Sequence, residues 1–298
     1  MANEMTSTSL ASIINSEAIM EARLAFQSNV NLAGVVRNSD LTGIPTKAAS
    51  FPVFTAASVS KTAEATDQTT NTTIDPTDVV LTVARRIVKL LPTDLGMASA
   101  QENMSVRLGQ AIGAARAKQV DTDILASLTT NYTYAVGATN STDISVANIL
   151  SALLTLEIAE ANQNLILCLH PNQWNHVRGD LVLVSATATA TERGTDPSAQ
   201  GQAILNSGMM TLPLFGARLL VTPRVGTGTD TNDIYKGALF NAEAFAYAVK
   251  NVAAELGLPD IEVERNASLG AAEYVHNYYD STGIVRATGI VLIKSQTY

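Results

Sequence analysis

An α+β fold is predicted, and three stretches of the 298-residue chain predict it. Residues 97–129 repeat apolar side chains at helical spacing with no proline among them. Residues 51–92 read as two β-strands separated by a polar segment. Residues 273–294 alternate as strands around a run of turn residues.

Taken in order, residues 8–27 place Leu10, Ile13, Ile14, Ala18, Met20 and Leu24 at roughly helical spacing, with Glu17, Glu21 and Arg23 between. A short amphipathic helix is expected there. Residues 28–50 are polar, contain Gly34, Gly43 and Pro45, and read as an extended arm. Phe51-Pro-Val-Phe54 begins a strand. Residues 56–78 are almost all small or polar, with Val59 and Ile74 as their only large aliphatic side chains. Ordering a backbone residue costs about 1–2 kcal/mol, more than two aliphatic side chains return over such a length. The segment should therefore project from the body and be ordered by neighbours, as should 28–50. Val79 to Leu91 returns as a strand, with Val79, Leu81, Val83 and Ile87 on one face by the period of two, and Pro92 ends it. A lone hairpin of this kind is marginal in water and needs something to lie on.

In the long helix, Met104, Leu108, Ala111, Ile112, Ala115, Ile124 and Leu128 form the stripe. At 1.5 Å per residue, thirty residues span roughly 45 Å. Gly109 and Gly113 either admit another backbone at close range or are simply tolerated. A polar loop over 131–142 follows, and Asp143 or Ser145 caps a second helix with the stripe Val146, Ile149, Leu150, Leu153 and Leu156. Asn164 to Leu169 reads as a short buried strand, and Pro171 opens a helix running to about Leu181. Residues 185–202 are loop-like. Strands are expected at Ala217 to Thr222 and Asp233 to Phe240, then a helical or mixed piece from Ala242 to Val249. At the end, Glu273 to Tyr279 and Ile284 to Lys294 flank Asp280-Ser-Thr-Gly283, a hairpin signature. No internal repeat is detectable.

Composition narrows the function. Hydrophobic residues are 46% of the chain, enough for a sizeable core, whereas charged residues are 15% against an ordinary value of about 25%. Such a surface suits a protein that buries much of itself against copies of itself. The net charge of −8 argues against a dedicated nucleic-acid binder but not against a container for one. Cys168 is the sole cysteine, so no intrachain disulfide forms. The first residues carry neither a basic nor an apolar region and are not read as a signal peptide. No apolar run approaches the roughly 20 residues that span a membrane. Synthesis in the cytoplasm is expected.

A search for chemistry is negative: no catalytic, metal or cofactor-binding residues are expected. Gly226-Thr-Gly228 lacks the rest of a phosphate loop. His170 and His176 are six apart, about 600° of helix, and would not share a face. Cys168 near His170 is read as a core cysteine, not a dyad. His276, between two tyrosines, is read as a packed or interface residue. Asp121 and Asp123 are read as solvent or contact residues, and Arg178-Gly-Asp180 as a chance match at a helix end.

The order of these elements resembles the Hong Kong 97-type capsid fold of tailed phages. Phe51 to Leu91 resembles its E-loop, and Leu95 to Glu102 through Asp121 to Leu125 its spine helix. Asn164 to Pro171 resembles the A-domain core, and Tyr274 to Lys294 the closing strands. The resemblance implies an N-terminal arm over 1–50, the E-loop over 51–92, a P-domain spine helix over 93–135, an A-domain over 136–255, and closing P-domain strands over 256–298. It implies a structural subunit, not an enzyme, that assembles with itself as pentamers and hexamers around the double-stranded DNA genome of a tailed bacteriophage. It would enclose that DNA without sequence-specific binding, involve no membrane, and reside in the virion. The short N-terminal region implies a separate scaffolding protein or none, and portal and decoration proteins are further implied partners. Some members crosslink an E-loop lysine to a neighbour's asparagine. Lys61 lies in the E-loop, but no partner asparagine aligns, and no crosslink is expected. Arg85, Arg86 and Lys89 on the returning strand, with Val59, Lys61 and Ile74 in the loop, are the candidate inter-subunit contacts. The three cations would meet acidic residues of an adjacent subunit, or else guard a solvated edge. Three other readings are an encapsulin-like nanocompartment shell, a secreted filament or surface-layer protein, and an enzyme with an unrecognised site.

Overall fold

A computed structural model describes residues 18–27, 32–54, 76–99, 104–130, 132–137, 143–187, 213–214, 216–226 and 234–296. Helix α1 covers 18–27. Then come β1 (Arg37–Asp40), β2 (Ala48–Val53), β3 (Thr77–Thr82), β4 (Ala84–Leu90), α2 (Asp94–Ser99), α3 (Met104–Thr130) and β5 (Tyr134–Val136). Next are α4 (Val146–Ile158), β6 (Leu165–Leu169), α5 (Pro171–Thr187), β7 (Pro213–Leu214), β8 (Ala217–Val221), β9 (Ile234–Asn241) and β10 (Phe245–Lys250). The chain ends with α6 (Val252–Leu256), β11 (Ile261–Asn266), β12 (Ala271–Ile284) and β13 (Ile290–Gln296).

Two sheets organise the body. In the first, β12 is the shared strand. Its first half pairs with β11 and its second half with β10 along one side, while β4 pairs along the other. β1 adds in parallel to β10. The second sheet has the order β5-β13-β9-β6-β8-β7. Its β6 is apolar at every position because both faces are covered. Leu165, Leu167 and Leu169 meet α4 through Ile149, Leu153 and Leu156, while Ile166 and Cys168 meet α3 through Val120, Ile124 and Leu128. α3, about 40 Å long at 1.5 Å per residue, spans both sheets: Ile112 lies with Tyr274 and Ile261 of the first sheet. Ser145, not Asp143, caps α4 by accepting from the Asn148 N–H.

Gly109 and Gly113 do admit a backbone. A Cβ at Gly109 would meet the Ala18 carbonyl of α1, and one at Gly113 the Ala22 carbonyl. The arm reading is corrected for residues 32–41. Leu32 and Val36 are buried in the body's core, and β1 is a strand of its first sheet. Hairpin β2–β3 packs Phe51 and Leu81 on the body with Leu41, Ala246 and Ala248. The returning strand breaks at Val83 and continues as β4 in the first sheet. There Val88 and Leu90 face α3, and Ile87, beyond the hairpin's cover, is exposed rather than buried with Val83.

Two further expectations are corrected, and an open one is decided. The closing hairpin does not exist: β12 runs unbroken through Asp280-Ser-Thr-Gly283, and β13 belongs to the other sheet. Gly283 is there because Leu81 of the hairpin occupies the space of its Cβ, not because the chain turns. Of the helical and mixed alternatives for Ala242–Val249 the structure has the mixed one, a single 3-10 turn at Ala242–Ala244 leading into the strand Phe245–Lys250. α5 runs to Thr187, so Arg178-Gly-Asp180 lies inside a helix.

Candidate functional site

β4 leads from the hairpin into the body and carries the three cations singled out in the sequence. Their side chains alternate across the sheet. Arg85 donates to Asn277 of β12 from Nε at 3.1 Å and from Nη2 at 2.8 Å. Lys89 Nζ lies 2.7 Å from Glu273. Arg86 points the other way, toward α3, with Nη2 2.6 Å from Asp123 and Nε 2.6 Å from Asp280. All three thus have partners within their own chain. Arg86 is corrected from a surface contact to an internal clamp, because α3 covers that face of the sheet. Val59, Lys61 and Ile74 lie outside the described residues.

Around Arg86 the space between α1, α3 and β12 is filled by charge and aromatic rings. The Arg116 guanidinium is sandwiched between Phe26, 4.4 Å from the ring centre, and Tyr278, 4.9 Å away. His276 stacks on Tyr278 with ring centres 5.6 Å apart, and its Nδ1 lies 2.7 Å from the Asp260 carbonyl. The carbonyl accepts, so Nδ1 carries the proton. Burial lowers the His276 pKa and keeps the ring neutral. The Asp260 carboxylate pairs with Arg23 of α1. Burial raises the Asp280 carboxyl above the usual range, with Arg86 opposing it, and pushes the Tyr247 phenol up to about 12. These side chains stitch α1, α3, β4 and β12 together. Among the described residues the cluster sets no nucleophile beside an activating base, and its geometry holds charge in place.

Asp121 is a second correction. It is fully buried, not a solvent residue: Oδ1 accepts from the Leu32 N–H at 3.0 Å, and Oδ2 pairs with Arg224. Its position was visible in the helical pattern, since Ala117, Asp121, Ile124 and Leu128 share one stripe. His170 stacks on Tyr235 with centres 4.0 Å apart, and Cys168 is buried with its thiol pushed up to about 12 by burial. Among the described residues no three His, Cys, Asp or Glu side chains converge as metal ligands would, and no helix is long and apolar enough to cross a membrane.

What the surface does offer is apolar side chains. Phe54 is 65% exposed at the end of β2 and Val80 57% exposed on the outer face of β3. Leu150, Leu154 and Ile158 line the outer face of α4 at intervals of four residues, so α4 is apolar on two sides. An isolated exposed leucine is ordinary, but a helical row of three marks a surface that gets covered.

No family model matches the sequence, and no curated protein matches it significantly. Solved structures do match. A structure from Mycobacterium phage Che8 superposes with a TM-score of 0.64 at 20% identity, over 89% of this chain and 90% of that one. The acid-stable capsid structure of Helicobacter pylori bacteriophage KHP30 gives 0.64 at 11% identity, covering 91% of each chain. A virus-like particle from Pyrococcus furiosus gives 0.57 at 10%, over 93% of this chain and 98% of that one. Likeness at these identities establishes a common fold, and it extends over nearly the whole length of each partner.

Proposed function

We propose that this chain, whose fold is the Hong Kong 97-type capsid fold, is the structural subunit of the icosahedral shell that holds the double-stranded DNA of a tailed bacteriophage. The observation that carries the reading is coverage. About nine tenths of this chain and nine tenths of the phage capsid chain from KHP30 superpose, so the likeness is to a whole shell subunit and not to a shared motif.

Physical features support it. The surface is poor in charge, and large apolar side chains stand out on the hairpin and on α4. A protein that lives as a monomer would cover such groups, whereas a shell subunit buries them against its neighbours. We read 51–92 as the E-loop, rooted in the chain's own body through β2, β3 and β4, 93–135 as the spine, 136–255 as the domain nearest the capsomer centre, and 256–298 as the closing strands. The role is structural and not catalytic. A separate scaffold, a portal and decoration proteins would complete the particle, and the acidic chain would hold DNA without reading its sequence.

Electron microscopy of negatively stained particles from expressing cells tests this. Closed shells built of five- and six-membered rings are expected, DNA-filled and tailed when the remaining phage proteins are present. A chain that stays a monodisperse monomer at high concentration, alone and with its scaffold, overturns the proposal. Small tail-less shells loaded with a cargo protein would replace the genome with that cargo.

A further inference from the structure

The half of the first sheet made by β4, β12 and β11 has two open sides. β11 and β4 both pair with β12, and among the described residues no other strand pairs with the outer side of either. The two edges carry opposite charge. On β11, Glu262 and Glu264 are exposed, and Arg265 is engaged with Asp94. On β4, Arg85, held by the neutral Asn277, and Lys89, paired with Glu273, are exposed, with exposed Ile87 between them.

The register puts these charges on one face of the sheet. Glu262 lies opposite Val275, and so does Lys89 from the other side; Glu264 lies opposite Glu273, and Arg85 opposite Tyr279. That face is the one away from α3. From β11 to β4 it therefore runs from negative to positive. Both β4 and β11 are antiparallel to β12, so they run in the same direction as each other.

We propose that the acidic β11 edge of one copy docks against the basic β4 edge of the next, continuing the sheet from subunit to subunit around a ring. The inference rests on the shell reading above and names the surface that would serve it. A second copy is the occupant because it brings to each edge one of opposite charge on the same face, with Glu262 and Lys89 level with each other across Val275. Like edges repel, so β4 to β4 and β11 to β11 pairing are both disfavoured. Only unlike edges meet, which makes the contact head-to-tail. A head-to-tail contact closes into a ring when its rotation allows, whereas a contact between like edges stops at a dimer.

The test uses two variants of the full chain. Glu262→Lys with Glu264→Lys makes both edges basic. Arg85→Glu with Ile87→Glu makes the β4 edge acidic like β11 while leaving the Lys89–Glu273 pair in place. Each subunit is checked for an unchanged melting temperature, and shell yield is measured by sedimentation and microscopy. Each variant alone should lose at least tenfold in assembled particles. Mixed in equal amounts they should assemble again by alternation. A ring of six alternates but a ring of five cannot, so the mixture should give six-membered rings in sheets or tubes without closed vertices.

Normal shells from either variant alone overturn the inference, as does a mixture of folded subunits that stays unassembled. Should the second pair of substitutions disturb folding, Arg85→Glu alone is mixed with the first variant and read the same way. Failure of the unaltered chain to form any shell overturns the shell reading, and this inference with it. Normal shells from the single-edge variants overturn the inference only.

Discussion

Arg86 of β4 places Nε 2.6 Å from Oδ1 of Asp280 on β12, and both oxygens of that carboxylate are closed to water. The same guanidinium reaches Asp123 of α3 at 2.6 Å, so one side chain ties the strand below the hairpin to both the sheet and the long helix. Removing one partner of a buried pair leaves the other charge stranded. Arg86→Met should therefore cost about 3 kcal/mol of subunit stability by that precedent. Asp280→Asn, which leaves Arg86 its Asp123 partner, should cost less than half as much. Urea titrations of the unassembled subunit compare the two.

The same carboxyl has a pH signature. Burial raises its pKa in the folded chain against the opposing pull of Arg86, while in the unfolded chain it titrates near an ordinary value of about 3.9. The folded state thus binds the proton more tightly. The stability gained this way is complete below about pH 4 and is lost as pH rises through the raised value. Asp280→Asn does not titrate there. The stability of the native chain relative to this variant should fall as pH rises across that window, and a rise would refute the assignment.

Gly113→Ala separates helix propensity from packing. In an isolated helix the change would stabilise by about 1 kcal/mol. Here the new methyl would press on the Ala22 carbonyl, a backbone atom of α1 that cannot turn aside. Overpacking of this kind costs about 1–3 kcal/mol. Net destabilisation is expected, with faster amide exchange in α1 than in α5, read by hydrogen-exchange mass spectrometry.

Cys168 is closed to solvent and its thiol is pushed up to about 12. At pH 8 a disulfide reagent should leave the native subunit unlabelled for as long as it stays folded. The labelling rate in increasing urea should then follow global opening, because β6 is covered on both faces.

Phe54 and Leu154 are exposed in the subunit. Phe54→Ser and Leu154→Ser should each change subunit stability by less than about 0.5 kcal/mol. Both should reduce the yield of shells, measured by sedimentation of assembly mixtures. Full yield from both would show that these side chains stay in solvent.

Much of the body was legible in the sequence wherever one residue's neighbours in the chain decide its environment. The all-apolar β6 and one of the two cap candidates, Ser145, follow from local spacing, and the structure has them. In the expected stripe of α3, Ile112, Ile124 and Leu128 are buried but Ala111 and Ala115 are exposed. What misled was chemistry that is local in appearance and long-range in cause. Asp280-Ser-Thr-Gly283 looks like a turn, yet its aspartate answers Arg86 and its glycine makes room for Leu81, each some 200 residues away. Asp121 looked like a surface carboxylate because its partners, the Leu32 N–H and Arg224, lie 89 residues before it and 103 after it. Residues 32–41 looked too polar to fold on their own chain, but β1 takes the main-chain edge of β10 and Leu32, Val36 and Leu41 anchor it in the core. The three cations of β4 were found because charge in a strand is conspicuous. That each already had a partner at home was not, since Asn277, Glu273 and Asp280 all lie on β12.

The unbroken course of β12 has a mechanical meaning. β4 enters the body directly from the hairpin and lies along β12 from Ala84 to Leu90, so tension applied to the hairpin runs along the strand axis. Its ladder bonds stand across the pull and must fail together instead of unzipping one by one. At the far end Thr93 bridges to Ala271 and the Asp94 N–H donates to the Gly270 carbonyl, which anchors the end of the strand away from the hairpin. A load on the hairpin is therefore carried in shear to the centre of the subunit, and from there by β10 and β11 to the rest of its first sheet.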